Sequence, residues 1–247
     1  MMSLTAIIMA ASTLSMASEL ANDIDRVADQ VRADHPEVAV RVDEMLPLKN
    51  RADQWFFPGR DLTTPEAQIL IQDRLLDGKD TPDVRVALAY ALDEEHRFPW
   101  TIIAEQTAVV RVALLHGYKR VKDADSVAVL GRAMQDDVAE VRAEAVRLAG
   151  YQADIGALTP RLVDGLQDAD LNVRMLSART LGWHAVQEAF TPVSVLLADP
   201  SADVRVAVVR ALGKIDPERA KSMVEIQRLT EGDHPGLQRA AKRVMNP

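Results

Sequence analysis

The stretch Asp199-Pro-Ser-Ala-Asp-Val-Arg-Val-Ala-Val-Val-Arg-Ala-Leu-Gly213 decides the fold. Asp199 is suited to accept a hydrogen bond from the free N–H groups of a helix start. Pro200 follows where its missing N–H does no harm. Val204, Ala207, Val208, Ala211 and Leu212 recur at spacings of three and four, so a helix puts them on one buried face. Gly213 then stands where a left-handed residue commonly ends a helix.

The same pattern recurs along the chain. Asp168 leads to Val173-Arg174 and Leu181-Gly182, and Asp136 leads to Val141-Arg142 and Ala149-Gly150. Asp233, Leu237 and Val244-Met245 form a last copy without its glycine, and Asp80, Val84-Arg85 and Ala91-Leu92 an early one. The glycines at 150, 182 and 213 are 32 and 31 positions apart. Second apolar-periodic runs lie between them, at Ser126–Met134, Ala157–Leu166, Phe190–Leu197 and Ala220–Leu229. One helix pair in roughly 31 residues predicts a solenoid, in which each unit buries its apolar face only against its neighbours.

These residues resemble the HEAT-like repeat of the phycobilisome-lyase type, over about residues 64–247 and most closely over 124–245. The resemblance implies an all-α superhelix of about six to seven antiparallel helix pairs, with the Val-Arg helices on its concave wall. It also implies that Arg142, Arg174 and Arg205 bond to Asp or carbonyl groups of the adjacent repeat. It does not imply one activity, since chromophore lyases, hydroxylases, DNA-repair enzymes and scaffolds share the motif. The expected organisation is a leader over 1–17, a degenerate repeat plus aromatic connector over 18–63, and the repeat array over 64–247.

Composition narrows the function. There is no cysteine, which removes disulfides, thiolate metal sites and thiol nucleophiles. Residues 1–137 carry 15 Lys+Arg against 23 Asp+Glu, and residues 138–247 carry 14 of each, so the net charge of −8 belongs to the N-terminal part. Long-range attraction to nucleic acid is therefore disfavoured, and a protein partner fits better. Leu4–Met16 is uncharged and mostly apolar, with small residues at Ser15 and Ala17, but no Lys or Arg precedes it. Two readings stand. If Met1–Ala17 is a cleaved signal peptide, the chain is periplasmic or secreted. If it is an amphipathic cap on the first repeat, the chain is cytoplasmic. The run is too short to span a bilayer, so no stable membrane insertion is expected.

Three groups of residues are candidates for function. Trp55-Phe56-Phe57 gathers three of the chain's ten aromatic residues, as a partner anchor or as a plug on the open end of the stack. Asp93-Glu-Glu-His96 could meet a divalent ion, but neighbours in sequence seldom converge on one, and it is read as a solvated helix end. Arg147, Arg179, Arg210 and Arg243 stand five residues after the Val-Arg arginine or its equivalent. With Arg239 and Lys242 they form a basic stripe, suited to an acidic protein segment or to phosphates. Trp183-His184 is read as filling a gap between repeats.

Catalytic patterns do not appear: there is no G-x-S-x-G, H-E-x-x-H, phosphate loop or His-Glu pair. No catalytic residue, metal ligand or cofactor is assigned. The expected function is a non-catalytic protein-interaction scaffold. A lyase-type enzyme or accessory, and nucleic-acid binding through the arginines, are the alternatives.

Overall fold

The computed structural model describes residues 65–246 apart from 79, 81, 93–96 and 120–122. The segments 1–17 and 18–63, with Trp55, Phe56 and Phe57, lie outside the described residues, as does the cluster at 93–96. Thirteen α-helices and no strand occur among the described residues. The chain divides into two units, Met1–Tyr118 and Lys119–Pro247.

In the first unit, α1 (Pro65–Leu76) and α2 (Pro82–Ala91) form the expected pair, followed by α3 (Trp100–Ile103) and α4 (Ala108–Leu115). Helix α2 packs on both α1 and α4. Ile71, Leu75, Val86, Leu88, Ile103, Val110 and Leu115 are buried between them. Gln68 Nε2 donates to the Ala91 carbonyl at 3.1 Å, which ties α1 to the end of α2.

The second unit alternates two kinds of helix. The first kind comprises α5 (Ala124–Ala133), α7 (Thr159–Gly165), α9 (Phe190–Val195), and the pair α11 (Pro217–Ser222) and α12 (Val224–Leu229). The second kind carries the Val-Arg pattern: α6 (Ala139–Ala149), α8 (Leu171–Trp183), α10 (Ala202–Ile215) and α13 (Pro235–Met245). The second kind packs in chain order, α6 on α8, α8 on α10 and α10 on α13. Of the face expected in α10, Val204, Val208, Ala211 and Leu212 are buried and Ala207 is half-buried. The run Ala220–Leu229 is not one helix. Met223 is extended between α11 and α12, where Ser222 Oγ bonds to the Arg219 carbonyl and Gln227 Nε2 to the Lys221 carbonyl.

The repeat glycines do not end helices in the left-handed region. Helix α10 runs past Gly213 to Ile215, Gly182 lies inside α8, and Gly150 is a right-handed C-cap. Their role is in packing. A Cβ on Gly182 would stand 2.5 Å from Ala211 Cα, and one on Gly213 would stand 2.6 Å from Val244 Cγ2. One on Gly150 would lie 3.5 Å from Thr180 Oγ1, which itself donates to the Val146 carbonyl at 3.3 Å. Each glycine thus admits the following Val-Arg helix, through its backbone at Ala211 and through side chains at Thr180 and Val244. The left-handed turn in this unit belongs to Ala185, at φ 49°. There Val186 N–H bonds back to Leu181 O and Ala185 N–H to Gly182 O, so α8 ends in a Schellman motif without glycine.

Arginine binds one repeat to the next, as the resemblance implies. Arg142 holds both Asp168 oxygens, from Nε and Nη2, at 2.8 Å each, while its Nη1 donates to the carbonyls of Asp136 and Asp137. Arg174 repeats this with Asp199, at 2.8 and 3.2 Å, and with the carbonyls of Asp168 and Ala169. Asp199 is therefore not the cap of α10. Its carboxylate is drawn to the preceding repeat and to its own loop, where it accepts from Ser201 N–H at 2.8 Å, and the helix starts at Ala202 behind Ser201. Among the described residues, Arg205 bonds only to the carbonyls of Asp199 and Pro200, in its own loop. The position corresponding to Asp168 and Asp199, two before the N-cap of the next Val-Arg helix, is here Gly232.

Burial acts to raise the carboxyl pKa of Asp168 and Asp199. The hydrogen bonds from Arg142 and Arg174, the loop N–H groups and the nearby guanidinium charges outweigh it, so both lie below the usual carboxylate value. A depressed folded pKa adds stability that is present above the unfolded value of about 3.9 and lost as pH falls through the folded one.

Three outcomes follow from this packing. Gly213→Ala is expected to lower unfolding free energy by about 1–3 kcal/mol through overpacking, although alanine is the better helix former. In that background Val244→Ala should cost less than in the parent, as a urea-unfolding cycle reads out; strict additivity would refute the contact. Asp199→Asn should remove about 1–3 kcal/mol at neutral pH, and its stability should fall less than the parent's as pH drops from 5 toward 2. Gly232→Asp should raise stability by about 1 kcal/mol by giving Arg205 a carboxylate. The site allows this, since Gly232 has no positive φ and its Cβ would meet nothing nearer than 3.6 Å.

Candidate interaction face

The face of each Val-Arg helix turned away from the core is set by helical spacing. In α8 it carries Asn172, Arg179 and Trp183; in α10, Asp203, Arg210 and Lys214; in α13, Arg239, Lys242 and Arg243. All of these are exposed. The glycine contacts fix how the rows align. Arg179 stands one turn before Gly182, Arg210 directly before Ala211 and one turn before Gly213, and Arg243 directly before Val244. The three arginines therefore flank successive points of closest helix approach.

Arg147 occupies the same row in α6 but is differently placed. It is half-buried and bidentate to Glu144, at 2.7 Å from Nε to Oε2 and 2.5 Å from Nη2 to Oε1. That bond, the largest influence, and the carboxylate's charge outweigh burial and raise its pKa above the ordinary arginine value. Glu144 is three residues earlier on the same helix, a spacing that brings side chains together. The corresponding residues in the later helices are Leu176, Ala207 and Ala240, which offer no carboxylate. Arg179, Arg210, Arg239, Lys242 and Arg243 accordingly form no ion pair or side-chain hydrogen bond with any described residue.

A second row lies beside the first and takes the residue after each repeat glycine: Tyr151, Trp183 and Lys214. Trp183 does not fill a gap between repeats. It is 68% exposed, with Lys214 Nζ 4.5 Å from its ring centre. The gap is absent because Gly182 already brings α8 and α10 into backbone contact. Tyr151 is 45% exposed, with Lys119 Nζ 5.0 Å and Arg147 Cζ 5.7 Å from its ring centre. These cation–π contacts hold the rings upright without covering them. Sequence reasoning passed over Tyr151 and Lys214, although the row is visible as Gly150-Tyr151, Gly182-Trp183 and Gly213-Lys214.

The face thus presents two aromatic rings and a run of cations with unused hydrogen-bond donors. Guanidinium groups bind carboxylates through two parallel bonds and do not lose their proton at neutral pH. No group of three or more His, Asp or Glu residues able to hold a metal occurs among the described residues. Nor is any helix there long and apolar enough to cross a membrane.

Residues 159–246 match the family model of HEAT repeats. This match covers α7 to α13 and does not single out the phycobilisome-lyase type. No curated protein matches the chain. HEAT repeats in general serve as scaffolds for protein–protein interaction. The Arg–Asp ladder, the glycine-spaced helix pairs and this match agree that residues 159–246 are built of HEAT-like repeats.

Proposed function

We propose that the chain is a non-catalytic scaffold that holds a protein partner on the exposed face of α6, α8, α10 and α13. The observation that carries this is Trp183, 68% exposed beside arginines that form no ion pair with any described residue. A bare tryptophan gives up the burial a core position would provide, and tryptophan and arginine dominate the energetics of protein interfaces. The chemistry of the face supports binding over catalysis, since Arg, Lys and Trp supply contact area and fixed positive charge but no base or nucleophile near neutral pH. A protein partner fits better than nucleic acid because the chain carries a net charge of −8, which repels a polyanion at long range.

The test is recovery of partners from cells of the source organism with the parent chain, with Trp183→Ala and with Arg179→Glu/Arg210→Glu as baits. At exposed positions these changes should leave unfolding free energy within about 0.5 kcal/mol of the parent. Truncating an interface anchor removes about 2 kcal/mol or more of binding energy, roughly a thirtyfold loss of affinity. Specific partners should therefore drop out with both variants. Equal recovery with all three baits would end the proposal.

A further inference from the structure

The spacing of the arginine row restricts what can lie along it. Successive arginines, Arg179, Arg210 and Arg243, are one inter-helix step apart. Packed helices stand about 8–10 Å apart, and the close approach of Gly182 to the Ala211 backbone and of Gly213 to the Val244 side chain puts these helices in direct contact, at a step of that order. A bound segment that meets every arginine must repeat at this distance. A β-strand presents same-side residues about every 6.8 Å. An α-helix repeats about every 5.4 Å, and two turns overshoot at about 10.8 Å. A polyproline II segment brings every third residue to the same side about every 9.3 Å.

Two further features agree with that conformation. Polyproline II ligands dock against exposed aromatic rings, and Trp183 and Tyr151 stand uncovered beside the arginine row. One turn before Arg179 and Arg210 are Leu176 and Ala207, half-buried and apolar, against which intervening prolines can lie.

We propose that the partner segment is an acidic polyproline II peptide with a carboxylate at every third residue, one to each of Arg179, Arg210 and Arg243. This rests on the scaffold reading and adds the chemistry and period of the bound segment. Each carboxylate takes two parallel hydrogen bonds from one guanidinium, as Asp168 and Asp199 do within the fold from Arg142 and Arg174. The arginine row meets the partner with the geometry that already joins the repeats.

The experiment uses the full chain and labelled synthetic peptides, with binding followed by fluorescence anisotropy. The probe is a Glu-Pro-Pro repeat. The comparison peptides carry the same number of glutamates at every second or every fourth residue, and a Gln-Pro-Pro repeat removes the charge. The Glu-Pro-Pro peptide should bind at least about tenfold tighter than either respaced peptide, and the Gln-Pro-Pro peptide should not bind. Arg210→Lys keeps the charge but loses the planar fork, so it should weaken the Glu-Pro-Pro peptide about tenfold and the respaced peptides little. Equal affinity for all three acidic spacings would overturn the proposal in favour of charge alone. Tighter binding of oligothymidylate at the same salt would overturn it in favour of nucleic acid. If no peptide binds while partner recovery still depends on Trp183 and the arginines, the period is refuted and the scaffold reading stands.

Discussion

Successive Val-Arg helices approach closely at glycines, α8 meeting the α10 backbone at Ala211 and α10 meeting the Val244 side chain of α13, and the arrangement of the second unit depends on these contacts. A methyl group on Gly182 would fall 2.5 Å from Ala211 Cα, well inside van der Waals contact. So close an approach leaves no room for large side chains between α8 and α10, which is why the seam is built from alanine, valine and glycine. It also settles what happens on the outside. With no gap to fill, the side chain after each glycine has nowhere to go but outward, and Tyr151, Trp183 and Lys214 become a surface row.

Contact alone leaves two helices free to slide. The arginines remove that freedom by a separate mechanism. Arg142 and Arg174 each clamp their own loop through two carbonyls and the next loop through one carboxylate. The bond is directional and two-pronged, so it fixes the offset between repeats as well as holding them together. These side chains are mostly buried in the loops, which keeps solvent from weakening the pairs as it would an exposed one.

Much of this was legible in the sequence, and the rest was hidden for definite reasons. Helix positions and the buried valines follow from spacing along one helix. The rungs from Arg142 and Arg174 followed from the repeat resemblance. The role of Gly182 and Gly213 did not emerge, because a glycine after an apolar run looks the same whether it ends a helix or admits a neighbour. Only the residue some thirty positions away tells them apart. Asp199 was misjudged as a cap because two claimants compete for one carboxylate, and the stronger is a guanidinium in another repeat. In the arginine row, four arginines were visible as a column, but the salt bridge that occupies Arg147 depends on Glu144, where the later repeats have Leu176, Ala207 and Ala240. The short break at Met223 has neither proline nor glycine to announce it.

The arginine ladder also gives the array a direction. The unit over residues 168–198 offers a guanidinium forward from Arg174 and a carboxylate backward from Asp168, so a copy of it can follow the original in the same order but not reversed. A segment from one aspartate to the next, such as residues 168 to 198, could be duplicated in place with its junctions already matched at both ends. The fold is in this sense open to growth by copying, and its length is a variable that tandem duplication of the coding sequence can reset without new joints having to evolve.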